Sequence, residues 1–148
     1  MSLFKRNYLY DNAYFVKNAG GIIVREVTIK VADEKDFEFV EVLQSLGVNR
    51  KAAKLITYLK DVEEGSSRDI EMATGLRQPE VSIAMGTLRN MGWLSEHEVK
   101  NLGKGRPQKI YALRVTIEEI IEYYEAEKKQ ESAQKIDAIQ RLKELSSA

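Results

Sequence analysis

The chain has 148 residues, 43% of them hydrophobic and 31% charged, with 23 basic residues balancing 23 acidic ones. That length suits one compact domain with appendages, and the composition is that of an ordinary globular protein rather than a disordered one. The absence of cysteine excludes disulfides, thiolate metal sites and cysteine nucleophiles; with a single histidine and no clustered carboxylates, no enzymatic activity, metal or cofactor is expected.

No apolar run approaches the roughly 20 residues that a membrane span needs, and the first residues lack the charged-then-apolar pattern of a secretory signal. The expectation is a cytoplasmic protein without a membrane partner. A net charge of zero hides an uneven distribution. Residues 77 to 115 hold seven Lys/Arg against three acids, a balance of +4, whereas residues 36 to 76 and 116 to 148 each hold five against eight, a balance of −3. Positive charge concentrated in one stretch between acidic neighbours is the footprint of a nucleic-acid module.

Residues 1 to 35 read as a β-leaning arm. Tyr8, Tyr10, Tyr14 and Phe15 precede a Gly20-Gly21 turn, and Val27, Ile29 and Val31 then alternate with polar residues, which predicts a strand from about Ile22 to Val31. The aromatic residues are candidates for packing, for a swapped arm or for the lining of a small-molecule effector pocket. From Asp36 the period becomes helical, with Phe37, Val40, Leu43 and Leu46 on one face and Gly47 closing the helix. A second helix starts at an Asn49 cap, carries Ala52, Ala53, Leu55, Ile56 and Leu59 inward, and has Gly65 just past its end. Ser66 or Ser67 caps a short third helix, Arg68 to Thr74, with Ile70 and Ala73 facing inward and Gly75 ending it.

Leu76-Arg77-Gln78-Pro79 opens a fourth helix that runs to Met91, since proline is tolerated in a first turn where its missing N–H is not needed. Val81, Ala84, Met85 and Leu88 form its buried stripe and Gly92 its terminator. Strands at about Leu94 to Val99 and Lys109 to Leu113 follow, joined by a tip containing Gly103, Lys104, Gly105, Arg106 and Pro107. Thr116 caps a last helix from Ile117 to about Leu145. Walking a 3.5-residue stripe along it gives apolar Ile117, Ile121, Tyr124, Ala138, Leu142 and Leu145, interrupted in the middle by Lys128, Glu131 and Lys135. Two contact patches with a wet centre are expected, and Ile117, Ile121, Tyr124, Leu142 and Leu145 are the candidate homodimer contacts.

The stretch from Ser66 to Leu94, followed by Gly105-Arg106-Pro107, resembles the helix-turn-helix and wing of winged-helix transcriptional regulators of the MarR, ArsR and TrmB-like groups. The resemblance covers roughly residues 36 to 115. It implies an α+β, mainly α fold, organised as an N-terminal arm (1–35), a winged-helix DNA-binding domain (36–115) and a dimerisation helix (116–148), and a transcriptional regulator that binds double-stranded DNA. The outward face of the fourth helix then presents Gln78, Pro79, Ser82, Ile83, Gly86 and Arg89 to a major groove, where Gln pairs with adenine, Ser reaches either kind of base edge and Ile83 rests on a thymine methyl. Arg77 adds charge at the helix start, Lys104 and Arg106 suit a narrow minor groove, and Lys100 and Lys109 suit phosphates. Glu80 departs from the pattern, since it repels phosphate unless it accepts a hydrogen bond from cytosine. The alternative reading is a winged helix that serves as a protein-interaction adaptor without DNA. Trp93 reads as a core anchor and His97 as an exposed residue without a role.

Overall fold

The computed structural model describes residues 12–18, 21–27, 32–100 and 106–147. The chain divides into two compact units, Met1–Arg114 and Val115–Ala148. It is mainly helical, with a three-stranded antiparallel sheet and a separate two-stranded hairpin.

The hairpin is formed by β1 (Asn12–Asn18) and β2 (Gly21–Val27), in a register that runs from Asn12 opposite Val27 to Asn18 opposite Gly21. The sequence gives reason for only the second of these strands, because Asn12 to Asn18 lacks a strict alternation. β2 itself covers Gly21–Val27 rather than Ile22 to Val31, and residues 28–31, like Tyr8 and Tyr10, lie outside the described residues.

Helix α1 spans Glu34–Ser45, two residues longer at its start than the apolar period suggests, because Asp33 is the cap. Its carboxylate accepts from the Asp36 N–H at 3.0 Å while the Asp36 carboxylate accepts from the Asp33 N–H at 3.0 Å. This reciprocal arrangement satisfies donors that a helix start leaves unpaired. Asp36 is therefore an interior capping residue and not the first of the helix. Helix α2, Arg50–Leu59, starts at Asn49 as expected, the side chain accepting from the Lys51 N–H at 2.8 Å. It is buried from Ala52 through Leu59 and packs against α1, α3, α4 and β5. Gly65 does not terminate it. Instead Gly65–Ser66 forms a short strand, β3, where a Cβ on Gly65 would come within 3.1 Å of the Tyr58 hydroxyl.

Ser66 then caps α3, Ser67–Thr74, in a second reciprocal box with Asp69, and Ile70 is fully buried while Ala73 is only half-buried. Helix α4 spans Gln78–Asn90, β4 Leu94–Val99 and β5 Gln108–Leu113. The sheet order is β3-β5-β4, so the expected two-stranded hairpin is extended by a strand that two residues between α2 and α3 supply. Leu55, Ile56, Ile70, Val81, Thr74 and Leu88 are among the fully buried side chains of this unit.

The second unit is α5, Ile117–Ser146, capped by Thr116 with Glu119 in a third reciprocal box. Its middle is polar, with Lys129 to Glu125 at 2.9 Å and Lys128 to Glu131 at 3.2 Å along the helix surface. Among the described residues no helix is long and apolar enough to cross a membrane.

Where α1 meets α2, the Lys60 ammonium lies 3.2 Å from the buried Asp36 carboxylate, bonds Asp61 as well, and stands 5.0 Å over the Phe39 ring. Burial by itself lowers the pKa of this ammonium, but its hydrogen bonds to Asp61 and Asp36 outweigh that and raise it above the ordinary 10.5. A raised folded-state pKa contributes stability that is complete below the unfolded value and is lost as pH rises through the folded one. Lys60→Met, which keeps the stem against Phe39, is expected to destabilise the protein at neutral pH. The gap to the wild type should close as pH climbs past 10.5 in denaturant titrations.

Candidate nucleic-acid interface

The turn between α3 and α4 consists of Gly75, Leu76 and Arg77. Gly75 takes φ 71°, a left-handed conformation that favours glycine, and its N–H donates to the Glu71 carbonyl at 2.9 Å. The fully buried Thr74 hydroxyl donates to the Ile70 carbonyl at 2.6 Å and accepts from the Leu76 N–H at 3.2 Å. Leu76 is buried and Arg77 is exposed as the residue that precedes α4.

On α4, Val81, Ala84, Met85 and Leu88 are buried, as the sequence period requires. At 100° per residue these four occupy one arc of the helix, and Gln78, Pro79, Ser82, Ile83, Gly86 and Arg89 occupy the other. Of these six, Gly86 is half-buried and the rest are exposed, Ile83 at 50% of its surface. Glu80 has a different task from the one its charge suggests. Its carboxylate accepts from the Arg77 N–H at 2.9 Å and so belongs to the start of the helix.

Just past the Met91 cap of the helix Gly92 takes φ 74°, and the Trp93 N–H donates to the Leu88 carbonyl at 2.9 Å. The Trp93 carbonyl in turn accepts from the Arg114 N–H at 2.7 Å, which joins the end of α4 to the end of β5. Trp93 is buried, as expected of a core anchor. The hairpin β4–β5 pairs Leu94 with Leu113, Glu96 with Tyr111, and Glu98 with Lys109. These six share one face of the sheet, since side chains alternate along a strand. Lys100, Arg106 and Lys109 are exposed around the tip; Gly103, Lys104 and Gly105 lie outside the described residues. Exposed His97, on the other face, has its Nε2 3.4 Å from a Glu64 carboxylate oxygen.

Three features escaped the sequence pattern. Lys54 on α2 is only 6% exposed; its pKa is held below the usual lysine value first by burial and then by the Arg50 charge, with the Glu80 carboxylate acting in the opposite direction. This electrostatic coupling links α2 to the first turn of α4. Arg89 is ion-paired with Glu96 on β4, its Nε–H donating at 3.1 Å. On α5, Ile117 and Tyr124 of the expected stripe are half-buried and Ile121, Leu142 and Leu145 are exposed, but Ile136 and Ile139 are exposed too. The 3.5-residue walk misses them by landing on Lys135 and Ala138.

No protein-family model and no curated protein matches the chain. Among solved structures it is similar to a "Possible transcriptional regulator" from Methanosarcina mazei Go1, at 14% identity and a TM-score of 0.50, over 84% of this chain and 96% of that one. At that identity the likeness is one of fold.

Gly86 is the least economical residue of the exposed face. A Cβ there would meet nothing within 4 Å, and glycine inside a helix costs about 1 kcal/mol relative to alanine. Gly86→Ala is therefore expected to raise the melting temperature by a few degrees in calorimetry.

Proposed function

We propose that residues 36 to 115 form a winged helix-turn-helix domain that binds double-stranded DNA sequence-specifically, and that the protein is a transcriptional regulator. In this reading α4 lies in the major groove and the β4–β5 tip lies on the minor groove or the backbone. The observation that carries it is the exposed arc of α4: Gln78, Ser82 and Ile83 offer a donor-acceptor amide, a hydroxyl and an apolar tip, on a helix whose opposite arc is core. These groups match adenine edges, either kind of base edge and the thymine methyl. Gly86, where an added Cβ meets nothing within 4 Å among the described residues, lets that arc approach a backbone closely.

Charge supports the same orientation. Of the three acids in the basic stretch, Glu80 is bonded to the helix start and Glu96 to Arg89, while Arg77, Lys100, Arg106 and Lys109 are exposed. Arg77, Lys100 and Lys109 anchor phosphates, and Lys104 and Arg106 reach the minor groove or backbone. The likeness to a protein named a possible transcriptional regulator points the same way.

Two copies are proposed to pair through α5, since dimers of such modules read the two halves of a palindromic site. The exposed Ile136, Ile139, Leu142 and Leu145 of its last turns favour this, since large apolar side chains clustered on a surface mark contact sites.

Titration of duplex DNA at two salt concentrations tests the main reading. Binding should weaken steeply at the higher salt through counterion release, and no binding even at low salt would leave the adaptor reading in its place. Arg106→Ala should weaken all sequences alike, whereas Gln78→Ala should change sequence preference at a cost of about 1–3 kcal/mol on the best site. Gly86→Ala should lose affinity while gaining stability. For the pairing, light scattering after size exclusion should give a dimer for the wild type and a monomer for a Leu142→Glu, Leu145→Glu double variant. A wild type that stays monomeric when concentrated would rule the α5 dimer out.

A further inference from the structure

Arg89 closes the stripe Gln78, Ser82, Gly86, Arg89 along the exposed arc of α4, at the helix's C-terminal turn. Its guanidinium donates from both Nε and Nη2 to a single oxygen, Oε1, of Glu96 on β4. The pair is open to solvent, with 56% of the Arg89 side chain and 31% of the Glu96 side chain exposed. Glu96 stands opposite Tyr111 in the hairpin, on the sheet face it shares with Lys109. Burial and the Glu96 charge raise the Tyr111 pKa, and Arg89 opposes them, so the buried phenol lies in the field of both partners.

A carboxylate oxygen that accepts two guanidinium N–H groups offers Arg89 the same kind of anionic acceptor as a phosphate oxygen. A solvent-exposed ion pair is weakly held and exchanges readily. Arg89 has five N–H donors, and Nη1 takes no part in the contact with Glu96. The cation best placed to reach DNA from this helix is thus already neutralised within the chain.

We propose that Glu96 is an internal competitor of the DNA phosphate for Arg89, a residue that limits non-specific affinity by occupying that guanidinium in the free protein. This rests on the DNA-binding reading above. The consequence is a lower salt dependence than the exposed basic residues alone imply, because a cation paired with a carboxylate releases no counterion from DNA. It also leaves discrimination to Gln78, Ser82 and Ile83, whose contacts depend on the bases.

The test is a double-mutant cycle on a mixed-sequence duplex, with Glu96→Gln, Arg89→Gln and the two combined. Glu96→Gln keeps a side-chain acceptor for Arg89 and removes only the charge. It should steepen the slope of log K against log salt by about 0.9, equivalent to about eightfold tighter binding at ~0.1 M salt. The gain should vanish when Arg89→Gln is also present. Unchanged or weaker binding of Glu96→Gln overturns the proposal, as does an equal gain in both backgrounds, which would mean that deleting any acid suffices. Melting temperatures within about 2 °C of the wild type show that the exposed variants fold alike. If the wild type binds no duplex at low salt, the DNA-binding reading and this inference fall together; if it binds and Glu96→Gln does not steepen the slope, only the inference falls.

Discussion

The orientation of α4 depends on one buried hydroxyl. Thr74 Oγ1 bonds backward to the Ile70 carbonyl and receives the Leu76 N–H, so it connects the last turn of α3 to the chain as it leaves the left-handed Gly75. Both functions of the hydroxyl are satisfied with no exposure to water. Valine, nearly the same shape, would leave the Leu76 N–H without that acceptor, and such an orphaned buried donor costs about 1–3 kcal/mol. Because Leu76 is itself buried, this bond and its side chain together set the direction in which the chain enters Arg77 and the first turn of α4. The register of the exposed arc follows. A rotation of the helix by one residue, 100°, would bring Ser82 toward the core and Val81 toward water.

α2 is the body against which this turn is held. A helix buried on every side needs its polar groups accounted for, and Thr57 does so by donating to the Ala53 carbonyl at 2.7 Å. Lys54 is harder to accommodate, since burial disfavours its charged form. The Glu80 carboxylate offsets this only in part, and the same carboxylate accepts from the Arg77 N–H. One acid thereby serves both a helix start and a buried cation.

The sequence made the helices legible because their apolar periods and caps are local signals. Asn49, Ser66 and Thr116 cap helices where a reader of the pattern would place them. The burial of Val81, Met85 and Leu88 also followed from spacing alone, and that of Trp93 from its place between Gly92 and Leu94. What could not be read was anything decided by a partner distant in sequence. Gly65 resembles a helix terminator until Tyr111 is brought opposite it across β3 and β5. Arg89 and Glu96 are seven residues apart on different elements, and no periodicity joins them. Asp36 looks like an ordinary first-turn acid, and only the packing of α1 on α2 brings Lys60 to it. On α5 the failure was of period: Ile136, Ile139, Leu142 and Leu145 recur every three residues, drifting around the helix instead of holding a 3.5-residue seam.

That drift bears on how α5 can make contacts. Side chains three apart step back by 60° on a 3.6-residue helix, so four of them spread over half the circumference. A straight two-stranded seam uses a narrower stripe and would leave the outer members of the set wet. The apolar side chains of the last three turns are better matched by helices that cross over a short length than by a continuous seam. The middle of the helix, with Lys128 bonded to Glu131 and Lys129 to Glu125, is stabilised by its own surface pairs and asks for no partner.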